Sequence, residues 1–213
     1  YVYLFKEAHG LGKELLGGKG AGLAEMTHIG VPIPQGFTVS TEACTLYYDS
    51  NKSMPKELID QIDNGIREVE KETGKSFGGI EAGKTPLLVS VRSGARVSMP
   101  GMMDTILNLG LNDQSVETLA KVSNNERFAY DSYRRFILMF TNIAKGHPRT
   151  DMDRMLEKIK EDNGYKVDTE VTTEQLKALV KQYKEYYKTT FGEEFPTDPF
   201  VQLHEAVEAV FRS

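Results

Sequence analysis

Two stretches of this chain place a cation among glycines in a pattern that suits an oxyanion. In the first, Arg92 follows the apolar run Leu87-Leu88-Val89-Ser90-Val91 and leads into Ser93-Gly94-Ala95-Arg96. A guanidinium at the exit of a buried strand needs an anionic partner or water, and its planar fork fits a phosphate or a carboxylate. A glycine beside it lets backbone N–H groups approach the anion with no Cβ in the way. The same string is also compatible with an ordinary turn carrying a surface ion pair. Further on, Ser98-Met99-Pro100-Gly101 continues neither helix nor strand, because proline lacks a donor and glycine frees the backbone. Met102 and Met103 are costly to expose on a loop that closes over nothing. Residues 105–110 then read as a second strand, so two strands flank a glycine-containing flap that includes Asp104 and ends at Thr105.

The second stretch is Leu15-Leu16-Gly17-Gly18-Lys19-Gly20-Ala21-Gly22, followed by Leu23, Met26 and Ile29 at helical spacing. A helix beginning near Lys19 directs free N–H groups and a partial positive charge at the loop before it, which makes an anion site. It is not a Walker loop, since that pattern needs a hydroxyl after the lysine and Gly20 stands there. A tight turn with close helix packing and a solvated Lys19 is the alternative.

The elements that must hold these stretches follow from periodicity and punctuation. Residues 1–5 and 37–39 read as strands, the second reached through the turn at 31–36, and Ser40 or Thr41 caps a short helix running to about Tyr48. Leu58, Ile59, Ile62, Ile66 and Val69 define a core-facing helix, and residues 74–85 a glycine-punctuated loop. Beyond Gly110 the composition turns helical. Asn112 or Asp113 caps one helix, and the run with Phe128, Tyr133, Phe136, Ile137, Phe140 and Ile143 forms the next. Met152, Met155, Leu156 and Ile159 mark a third, and the Thr172/Gln175 capping box opens a fourth. Asp198-Pro199 starts a last helix bearing Phe200, Leu203, Val207 and Val210. The expected fold is therefore α/β (α+β), divided into an α/β subdomain with the glycine loop (1–111), a helical subdomain (112–196) and a helix returning to the first part (197–213).

Charge and composition exclude several classes. With 26 Lys and Arg against 31 Asp and Glu, the net charge is −5, so no general nucleic-acid or anionic-membrane surface is expected. No apolar run spans a bilayer and no signal-peptide pattern opens the chain. The single Cys44 reads as a small packed thiol and fits a reducing, cytoplasmic setting. His9, His28, His147 and His204 lack metal-ligand spacing, so no metal site is expected among them. Arg134 and Arg135 read as structural ion-pair partners. Tyr1 at the start and a helical pattern running to the end read as a segment cut from a longer chain.

The strings Val89-Ser90-Val91-Arg92-Ser93-Gly94-Ala95-Arg96 and Met99-Pro100-Gly101-Met102-Met103-Asp104-Thr105-Ile106-Leu107-Asn108-Leu109-Gly110 resemble the N-terminal nucleotide-binding part of the pyruvate phosphate dikinase family, and the resemblance extends over the whole chain. Related dikinases such as phosphoenolpyruvate synthase share Ser-Val-Arg-Ser but differ in the glycine loop. The resemblance implies the first part of an ATP-grasp domain. In such an enzyme ATP and inorganic phosphate phosphorylate a carrier histidine, which passes its phosphoryl group to pyruvate to give phosphoenolpyruvate, AMP and pyrophosphate. It implies that Lys19 and Arg92 hold phosphates and stabilise the transferring charge, while Gly101, Met102, Met103, Asp104 and Thr105 close over them. Mg2+ ligands, the phosphohistidine domain and a homodimer contact are implied to lie downstream, leaving this segment inactive alone. Two other readings stand beside it: a dikinase with another acceptor, and a non-catalytic module whose helices bind a partner.

Overall fold

The structure is a computed structural model that describes residues 1–30, 34–81, 83–94 and 105–213. It divides into two units, each discontinuous in sequence: residues 1–75, 92–104 and 210–213 form one, and 76–91 with 105–209 the other.

In the first unit β1 (Val2–Leu4) precedes α1 (Lys13–His28) and pairs antiparallel with β2 (Phe37–Val39), setting Val2 opposite Val39. Then follow α2 (Thr41–Asp49) and α3 (Lys56–Thr73). Leu58, Ile62, Ile66 and Val69 of α3 are all buried, as their spacing requires. Gly65 lies among them because a Cβ there would meet the Phe37 ring at 3.0 Å, so α3 sits close on β2. Ser40 occupies the N-cap position of α2, yet its buried hydroxyl makes no cap bond, while Thr41 Oγ1 donates to Glu14 O at 2.7 Å. The expected apolar stripe of α1 is not its buried side: Met26 is 37% and Ile29 63% exposed. Leu16, Gly17, Gly20 and Ala24 are buried instead, because a Cβ on Gly20 would stand 3.0 Å from Thr38 of β2 and only small residues allow that approach.

The second unit holds two further ladders. The run read as one buried strand is split at Leu88 into β4 (Pro86–Leu87) and β5 (Val89–Val91), and only β4 is fully buried. β3 (Ser76–Phe77), within the stretch read as a loop, lies parallel to β4. β5 pairs antiparallel with β6 (Ile106–Leu109). Val89 opposes Leu109 and Val91 opposes Ile106, so β6 carries an extra residue; Asn108 absorbs the bulge at φ +65°, a region asparagine tolerates.

The helices are α4 (Asp113–Ser123), α5 (Glu126–Met139), α6 (Thr150–Asn163), α7 (Thr173–Phe191) and α8 (Pro199–Arg212). The expected helix through Ile143 changes to a π-turn at Phe140–Ala144. Asn112 caps α4 by accepting from the Gln114 and Ser115 N–H groups, and Thr172 with Gln175 forms the capping box of α7. Phe136, Phe140, Tyr187 and Phe195 form an edge-packed aromatic core, with Phe140 and Phe195 centroids 5.4 Å apart. Gln202 of α8 is fully buried. It accepts from Gly110 N–H at 2.9 Å and donates to Leu111 O at 2.9 Å and Pro196 O at 2.8 Å, satisfying the chain where β6 gives way to the helices. The protein is thus a mixed, largely helical fold with small two-stranded sheets.

Candidate functional site

The glycine-rich start of α1 does not run as one helix. Gly17 takes φ +74° and ψ 171°, so a first turn closed by Leu16 N–H to Gly12 O at 3.1 Å breaks, and a new helix begins at Gly18. Lys19 lies in the first turn of that new helix, whose leading N–H groups have no intrahelical acceptor. Its side chain is exposed, opposite the face that packs Leu16 and Ala24 against Ala8.

Arg92 follows β5 directly and is exposed, with Ser93 buried beside it. Neither Lys19 nor Arg92 makes an ion pair or hydrogen bond to another described residue, whereas Arg134 and Arg135 both pair with Asp131. What joins the two cations is backbone. A Cβ on Gly17 would lie 1.9 Å from Gly94 O and 2.8 Å from Gly94 C, so the two segments touch main chain to main chain. Lys19 and Arg92 each stand two residues from that contact, a span of at most about 7 Å. Two cations without a partner among the described residues, and the leading N–H groups of a helix, therefore flank one backbone crossing, an arrangement that suits a polyanion such as a chain of phosphates.

Gly101, Met102, Met103 and Asp104 lie outside the described residues, as do Arg96 and the turn residues Val31, Pro32 and Ile33. Thr105 is half-buried, one residue before β6. Among the described residues no three His, Cys, Asp or Glu side chains gather as a metal site. His9 and His28 do meet, but their rings stack at 3.6 Å and 7°, so their nitrogen lone pairs lie in two nearly parallel planes and do not converge on one ion. His9 Nε2 bonds Glu25 at 2.9 Å instead. Cys44 is half-buried, with Sγ 3.9 Å from Phe211 O, and burial pushes its thiol pKa up, the opposite of an activated nucleophile.

Residue types and spacing carry no signature of the network around Asp113 in the helical part, whereas the ion pairing of Arg134 and Arg135 is as expected. Asp113 accepts from Tyr133 Oη at 2.8 Å and from Lys184 Nζ at 2.7 Å. Burial raises this carboxyl's pKa, but the bonds from Lys184 and Tyr133 outweigh it and the net direction is down. Arg134, 5% exposed, bonds Asp131 at 2.8 Å and reaches Asp168 at 3.8 Å. An open cleft of about 470 Å³ here is lined by Asp113, Tyr130, Lys177, Lys184 and Lys188. Those lysines face Glu126, Asp113 and Glu194, which leaves their charge committed.

The mixed α/β arrangement is consistent with a nucleotide-binding domain, and comparison with known proteins gives that class. Residues 13–53 and 50–191 match the family described as "Pyruvate phosphate dikinase, AMP/ATP-binding domain", and the chain belongs to that family. It is 54% identical over its whole length to the pyruvate, phosphate dikinase of Clostridium symbiosum and 50% identical to that of Entamoeba histolytica, covering 24% of each. Over 94% of its length it is 55% identical to the chloroplastic pyruvate, phosphate dikinase 1 of Zea mays, covering 21% of that protein. The chain therefore spans about a quarter of the length of the curated relatives it matches. No helix among the described residues is long and apolar enough to cross a membrane.

Proposed function

We propose that this chain is the N-terminal nucleotide-binding part of a pyruvate phosphate dikinase, built as the opening portion of an ATP-grasp domain with a helical subdomain inserted at about residues 112–196. The observation that supports the reading is the backbone crossing of Gly17 and Gly94, with Lys19 and Arg92, which pair with no other described residue, two residues to either side, in a chain of this family. Lys19 and Arg92 hold the phosphates of ATP and stabilise the charge that develops as a phosphoryl group leaves. Gly101, Met102, Met103, Asp104 and Thr105 close over the phosphates and exclude water.

The complete polypeptide uses ATP and inorganic phosphate to phosphorylate a carrier histidine in a downstream domain, releasing AMP and pyrophosphate. That histidine then phosphorylates pyruvate. The family resemblance puts the Mg2+ ligands downstream of this segment, and no step is routed through the metal. The intact enzyme works in the cytoplasm as a homodimer joined outside this segment. The test is pyruvate-dependent formation of phosphoenolpyruvate and the reverse reaction, assayed on the intact polypeptide and on residues 1–213 alone. Activity in the first and none in the second is expected. Turnover by the segment alone, or none by the intact polypeptide, overturns the reading.

A further inference from the structure

We propose that Gly17 is a positioning residue for the Lys19–Arg92 pair: its bare backbone fixes the register of residues 92–94 against the helix start that carries Lys19. The inference rests on the nucleotide reading above. Gly17 meets two demands at once. Its φ of +74° belongs to a region that L side chains rarely adopt, and a Cβ there would meet the carbonyl of Gly94 at 1.9 Å. The obstacle is main chain rather than the yielding end of a side chain, so any other residue must move either segment 92–94 or the start of the helix. With a Cα–Cβ bond of about 1.5 Å, Gly94 O stands within roughly 3.4 Å of Gly17 Cα. That is the range of a weak Cα–H···O contact, so its value lies in geometry more than in energy.

Gly94 plays a different part. A Cβ added to it would find only Leu16 O, at 3.9 Å, so the crossing uses its carbonyl and does not need its missing side chain. Gly12 supplies the matching control, because it takes φ +81° at the start of the same element with nothing within 4 Å of an added Cβ. Gly12→Ala therefore carries backbone strain alone, and Gly17→Ala carries strain plus displacement. Opening the crossing to an ordinary contact moves one cation relative to the other by roughly 1.5 Å, and a misplacement of about 1 Å can lower a rate by about 100-fold.

The experiment measures ATP affinity and kcat/KM for ATP in the intact polypeptide. Gly17→Ala is expected to lower kcat/KM by about 100-fold, and Gly12→Ala to change melting without a comparable change in ATP use. Lys19→Ala should cost several-fold less ATP affinity in the Gly17→Ala background than in wild type, because the pairing it would remove is already lost. A glycine inserted between Arg92 and Ser93 shifts the register while keeping Gly17 and Gly94, and should reproduce the loss even if Gly17→Ala fails to fold. Equal effects of Gly17→Ala and Gly12→Ala, an unchanged cost of Lys19→Ala in both backgrounds, or wild-type behaviour of the insertion overturns the inference. If Lys19→Ala and Arg92→Ala each leave ATP binding unchanged, the nucleotide reading itself falls, and the positioning role with it.

Discussion

Gln202 offers the sharpest test of what holds the far end of β6. Its amide spans three backbone groups, Gly110 N–H, Leu111 O and Pro196 O, each within 2.9 Å, in a fully buried position. Replacing it with leucine keeps most of the volume and leaves one donor and two acceptors unpaired where water does not easily follow. An unsatisfied buried group costs about 1–3 kcal/mol, so Gln202→Leu should destabilise this unit by at least about 3 kcal/mol. At roughly 2–4 °C per kcal/mol for a chain of this size, the midpoint should fall by about 6–12 °C. Gln202→Ala should cost less on the polar side, because water entering the vacated space can rehydrate some of the three groups. Urea unfolding followed by far-UV circular dichroism reads the difference. A loss below about 1 kcal/mol for Gln202→Leu would refute the view that this one amide satisfies the junction.

Three further outcomes follow from the same reasoning. Thr172→Ala should cost about 1 kcal/mol in urea unfolding, and combined with Gln175→Ala the two should fall short of additive, since each closes half of one capping box. Gly22 sits in the helix with nothing within 4 Å of an added Cβ, so Gly22→Ala should stabilise by about 0.5–1 kcal/mol, whereas Gly65→Ala should gain less because it presses on the Phe37 ring. Asp113, with its folded-state pKa held below the ordinary value, adds stability that is present above about pH 4 and lost as the pH falls through the folded value. The stability gap between wild type and Asp113→Asn should therefore shrink on acidification below pH 4, and a gap constant from pH 7 to pH 2 would contradict the assignment.

Elements set by local rules were legible in the sequence. The 3.6-residue spacing of Leu58, Ile62, Ile66 and Val69 placed α3, and the Thr172/Gln175 pair placed the start of α7. Failures came where a tertiary contact outweighed periodicity. Leu23, Met26 and Ile29 looked like a buried stripe, but the approach of Gly20 to Thr38 turned a different face inward. The run from Leu87 to Val91 looked like one buried strand, and its two halves pair with different partners, β3 in parallel and β6 in antiparallel. At the candidate site, the cations and glycines were visible as residue types. Their meeting was not, because a contact between Gly17 and Gly94 uses main-chain atoms and leaves no signature beyond the glycine itself. The Tyr133–Asp113–Lys184 network was equally hidden, since its members lie 20 and 71 residues apart.

The most direct test of the central claim is calorimetric titration of ATP into the intact polypeptide, comparing wild type with Lys19→Ala and Arg92→Ala. Saturable binding that each substitution weakens by at least about 10-fold, roughly 1.4 kcal/mol, with folding intact by circular dichroism, is the expected result. Binding that survives both substitutions unchanged would place the phosphates elsewhere and contradict the account.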